Sequence, residues 1–146
     1  MKLQQDTWVL VANGEKFLLM RNNGDAEIID LRLIGKEEIE NPPTREQGAD
    51  RPGRMPDDGH GRSATDDTDW HMLEKERFAA DLAEKLRLWA LADRFPALVL
   101  AADPRTLGNL RPALHVAVQS RIVGELNKDF TNLPLDQIEK HIAAES

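Results

Sequence analysis

Two runs constrain this chain's fold more than any other feature. They are Thr7-Trp8-Val9-Leu10-Val11-Ala12 and Ala97-Leu98-Val99-Leu100-Ala101-Ala102. Both are apolar almost throughout, and both are too short for a packed helix. A strand with no wet face is stable only inside a sheet covered on both sides. The chain therefore reads as a layered α/β domain with these two runs at its centre.

The flanking patterns fill in the layers. Lys16-Phe17-Leu18-Leu19-Met20-Arg21 reads as the return strand of a hairpin, and residues 27–34 read as a third strand. In that third run Asp30 and Arg32 alternate with apolar residues, as on an edge with one wet face. Asn13-Gly14 and Asn23-Gly24 are expected to be tight turns with positive φ at both residues. After residue 69 the period changes. Phe78, Leu82, Leu86 and Trp89 recur at helical spacing beside Ala79, Ala83 and Ala90. Asp66, Asp67 and Asp69 suit the start of that helix, and Trp70 is placed to staple it to the preceding loop. Asp103-Pro104 supplies an N-cap and a first-turn proline for the next helix, which Pro112 should kink or break. Residues 121–126 read as a last strand, and Pro134 opens an amphipathic helix carrying Leu135, Ile138 and Ile142.

A right-handed crossover from the third strand places the fourth beside the first. The expected fold is three-layer α/β/α with a mixed five-stranded sheet. The strand order is 3-2-1-4-5, with strand 2 antiparallel to the rest. Ribonuclease-H-like folds share that order.

Composition narrows the function. The 146 residues suit a single domain spanning 1–146. There is no cysteine, which excludes disulfide scaffolds, thiolate metal sites and thiol nucleophiles. The net charge of −7 argues against coating nucleic acid by bulk electrostatics. Neither a signal peptide nor an apolar run of the roughly 20 residues needed to span a bilayer is present, so a cytoplasmic location without membrane insertion is expected. His60, His71, His115 and His141 have no metal-ligand spacing, and no acid stands inside the first strand as a metal nuclease would need. Ser63, Ser120 and Ser146 lack a nucleophile-elbow context. No phosphate-binding glycine motif is present. Neither a catalytic residue nor a cofactor is expected.

The strongest functional candidate is the stretch 41–69. It holds four of the eight prolines and four of the nine glycines, and its only apolar residues are Ala49, Met55 and Ala64. Arg51-Pro52-Gly53-Arg54 and Gly59-His60-Gly61-Arg62 place guanidinium forks among exposed amides, a combination suited to phosphate or RNA backbone. Gly53 would let the backbone approach closely. The competing reading is a solvated insertion whose arginines are balanced by Glu46, Asp50, Asp57 and Asp58. A second signal lies in residues 104–124, which carry Arg105, Arg111, Arg121 and His115 and no acid. Arg105, Arg111 and the weaker candidate Lys128 are therefore added to the phosphate-binding set of Arg51, Gly53, Arg54 and Arg62.

Several stretches carry a family resemblance. They are Trp8-Val9-Leu10-Val11-Ala12-Asn13-Gly14, Asp50-Arg51-Pro52-Gly53-Arg54, Glu74-Lys75-Glu76-Arg77-Phe78-Ala79, and Leu98-Val99-Leu100 continuing through Pro104-Arg105-Thr106-Leu107-Gly108-Asn109-Leu110-Arg111. Together with residues 125–134 they resemble the bacterial host attachment proteins, with Asn13 where that pattern more often has Asp. The family's fold is similar to the middle domain of the eukaryotic and archaeal class I peptide release factors. In those factors a comparable loop carries Gly-Gly-Gln, which this chain lacks. The resemblance implies a part in bacterial attachment to host cells, and a ribosome or tRNA as partner. Two other readings remain open: a protein-interaction domain without nucleic acid, and a hydrolase of peptidyl or aminoacyl esters.

Overall fold

Five strands among the described residues, 1–38 and 64–145 of a computed structural model, build one sheet. They are β1 (Trp8–Ala12), β2 (Lys16–Asn22), β3 (Leu31–Glu38), β4 (Leu98–Ala102) and β5 (Ile122–Leu126). Their order is β3-β2-β1-β4-β5, with β2 antiparallel to both neighbours and β1, β4 and β5 mutually parallel. This is the expected order, reversed second strand included.

The alternation of β1 accounts for the layers. All five of its residues are buried. Trp8, Leu10 and Ala12 join one core with α1 (Ala64–Leu91), α2 (Pro104–Leu110) and α3 (Val116–Gln119). Val9 and Val11 join the other, with Ile138 and Ile142 of α4 (Leu135–Ala144). One short strand thus serves two cores, which only a continuous apolar run can do.

Local structure departs from expectation at three places and follows it at a fourth. First, β3 starts at Leu31 rather than residue 27. The Asn22 side-chain Oδ1 accepts from the amides of Gly24 (3.0 Å) and Asp30 (2.9 Å). Asp25 accepts from the amides of Glu27 and Ile28, each at 2.9 Å. These side chains engage amides that a strand would offer to a ladder, so the chain loops instead. Second, neither Asn13-Gly14 nor Asn23-Gly24 has positive φ. The first hairpin closes through Asn13, whose Oδ1 accepts from the amides of Glu15 (2.7 Å) and Lys16 (2.9 Å). That is an Asx turn, which needs no left-handed residue. Third, α1 begins at Ala64 and takes in the last six residues of the expected 41–69 loop. The Trp70 side chain lies outside the described residues. Fourth, Pro112 breaks the helix after β4 into α2, a 3-10 turn (Arg111–Ala113) and α3.

Candidate functional site

The parallel strands all end at one edge of the sheet, and of the described candidates Arg105 lies there. Asn13 follows β1, Asp103 follows β4 and Asn127 follows β5. Glu38, the last residue of β3, pairs with Lys16 beside the first hairpin turn. β3 therefore ends at this carboxyl edge, where open α/β sheets commonly bind ligands. The helix that follows returns over the same edge. Phe78 packs on Phe17 with ring centroids 6.2 Å apart. Lys75 lies so close to Gly14 that a Cβ there would meet its Cγ and Cδ at 2.8 Å. At about 1.5 Å per residue, the turns of α1 before Phe78 extend roughly 20 Å to the carboxyl side of that contact.

A polar network stitches this edge together. The Asn13 amide donates to Thr131 Oγ1 (3.1 Å) and Asp129 Oδ2 (3.4 Å). The Thr131 amide and hydroxyl both donate to Asp129 Oδ1, at 2.9 and 2.6 Å. Lys16 Nζ donates to Asn132 at 2.8 Å. Burial pushes the Asp129 carboxyl up, but the bonds from Thr131 and Asn13 and the nearby Lys16 charge outweigh it. The net effect holds the group below its ordinary value. Sequence reasoning missed this network. Asp129-Phe130-Thr131 carries an Asx-turn signal, but nothing local announces its bond to Asn13.

The predicted binding residues divide. Arg51, Gly53, Arg54 and Arg62 lie outside the described residues. Arg105 is exposed in the first turn of α2 at the carboxyl edge. Its neighbour Asp103 is the expected N-cap, accepting from the Thr106 amide at 3.2 Å and hydroxyl at 2.6 Å. Arg111 is turned back along β5, where Nε and Nη2 donate to Glu125 at 3.1 and 2.8 Å. Lys128 follows β5 and pairs with Glu145 at 3.3 Å. Arg121 is structural. It donates to Asp93 and the Phe95 carbonyl and stacks 5.7 Å above the Phe95 ring. His115 caps α3, its Nδ1 accepting from the Ala117 amide at 3.0 Å. The acid-free stretch 104–124 is thus largely matched by carboxylates outside it, and Arg105 is its main contribution to the edge. Among the described residues no group of three or more His, Cys, Asp or Glu is placed to hold a metal ion. No described helix is long and apolar enough to cross a membrane.

Comparison with known families gives a match over most of the chain. A family model described as bacterial archaeo-eukaryotic release factor family 12 matches residues 6–142. No curated protein matches the chain.

Proposed function

Because the chain belongs to bacterial archaeo-eukaryotic release factor family 12, and is thereby a release-factor-related module, we propose that it contacts the ribosome or its RNA through the carboxyl edge of its sheet. Arg51, Arg54 and Arg62 would grip phosphate, with Gly53 allowing close backbone approach and Arg105 adding a guanidinium from the α2 start. One observation supports this most. β3, the strand before the arginine-bearing stretch, ends at the same edge that carries Arg105. Arg111 and Lys128 are lesser contributors, since each already has a carboxylate partner. The stretch lacks Gly-Gly-Gln, so the role proposed is contact rather than peptide release. The part in attachment to host cells implied by the sequence resemblance would follow indirectly, through translation of surface components.

Ribosome co-sedimentation across a salt series tests the reading. Wild type should pellet at low salt and be released as salt rises, each single-strand phosphate contact adding about 0.7 to the log–log slope. Arg51→Glu/Arg54→Glu should not pellet, and Arg105→Glu should pellet less than wild type. Equal pelleting of wild type and the double variant, or none by wild type at any salt, overturns the proposal.

A further inference from the structure

The amino end of the sheet holds a second site that the carboxyl edge does not explain. There α1 leaves part of β2 and β3 uncovered, forming a groove of about 500 Å³ between edge strand and helix. Trp8, Leu19, Ile34 and Gly35 supply its apolar floor. A Cβ on Gly35 would have only Leu19 near it, at 3.9 Å, so the space above this glycine is open. Trp89 forms the helix wall. It is half-buried and lies edge-to-face with Trp8 at 5.6 Å. Trp8 is in turn stacked on Phe95 at 4.8 Å, which fixes the aromatic base of the groove.

The charge around this apolar slot is the opposite of the chain's. Arg21, Lys85 and Arg94 supply its charged side chains with one acid, Glu37, giving three positive charges less one negative, or +2. Lys36 lines it by backbone, since it pairs with Leu18 on the face of the other core. The whole chain is −7. Glu37 sits 3.5 Å from Lys85, and Arg21 Nε donates to Asn23 at 3.0 Å. Towards the carboxyl edge the groove runs on past Asp81 and Glu84, so the cationic excess is confined to the Trp89 end.

We propose that this groove binds a nucleotide, with its base against Trp89 and its phosphate held by Arg21 and Arg94. A planar aromatic anion uses both features of the slot, since indoles stack on any base and guanidinium and ammonium groups pair with phosphate. An apolar helix would strip water from three cations without replacing it. An acidic peptide would pair with the cations but leave the indole unused. The site lies at the far end of the sheet from Arg105 and does not depend on the ribosome reading.

Tryptophan fluorescence titration of the full chain with UMP and with a uridine hexanucleotide tests the assignment. Both ligands should quench wild type. Arg21→Glu/Arg94→Glu, at two exposed positions, should bind at least about tenfold more weakly. Lys2→Glu/Lys140→Glu, the same charge change at other surface positions, should bind as wild type does. Trp89→Leu should lose most of the quench. Hexamer binding more than about tenfold tighter than UMP assigns the groove to an RNA strand, and equal affinities assign it to a free nucleotide. Binding by the Arg21/Arg94 variant within about twofold of wild type overturns the proposal. So does quenching by an acidic peptide alone, or by no ligand.

Discussion

Asn13 has two tasks, and only one of them is local. Its carbonyl oxygen closes the first hairpin. Its amide crosses the carboxyl edge to Thr131 and Asp129. The turn was legible from Asn-Gly, although the mechanism is an Asx bond rather than a left-handed backbone. The second task was not legible, because it joins residues 116 and 118 positions apart. It has a measurable consequence through Asp129. The folded carboxyl lies below its ordinary value, so between the folded and unfolded values the unfolded state binds more protons. The resulting stability is present above the unfolded value of about 3.9 and is lost as pH falls through the folded value. Urea unfolding at pH 6 and pH 3 should show Asp129→Asn with a smaller stability difference between the two than wild type.

At the scale of elements, propensity located every strand and side-chain bonds moved one of them. The apolar runs of β1 and β4 left little freedom, and both fall within a residue of the expected bounds. β3 slid by four residues because Asn22 and Asp25 hold residues 23–30 as a loop. Asn22 is itself buried, donating to the Leu3 carbonyl at 3.0 Å, so this loop is anchored in the interior. Gly24 matters there for space rather than for φ. A Cβ on it would collide with the Ile28 carbonyl oxygen and crowd the Asp30 amide. Gly24→Ala should therefore destabilise the protein by about 1–3 kcal/mol, read as a lower urea midpoint with unchanged m. A glycine needed only for positive φ would give the same loss with Ala but lose least with Asn. Here Asn, being larger, should be no better than Ala.

At the scale of the whole molecule, two cores share one sheet and the candidate binding groups gather at its rims. The 39–63 stretch carries few apolar residues, so most of the folding free energy must come from elsewhere. Replacing residues 41–62 with a Gly/Ser linker of equal length should shift Tm by less than about 4 °C, the equivalent of roughly 1 kcal/mol. The same replacement should abolish ribosome pelleting. A large loss of Tm would instead place that stretch among the determinants of the fold. By itself the sequence determined the layered class, the strand order and the Asp103 cap, because hydrophobic period, crossover handedness and Asp-Pro chemistry act over a few residues at a time. Tertiary structure alone decided which charges stay available for binding. Arg111 and Arg121 look equivalent to Arg105 in the chain, yet folding brings Glu125 and Asp93 to the first two. It also decided the Trp89 groove, whose cations come from β2, α1 and the turn before β4. Charge pairing and concavity depend on which residues meet across the sheet, and that is a property of the packed layers rather than of any segment.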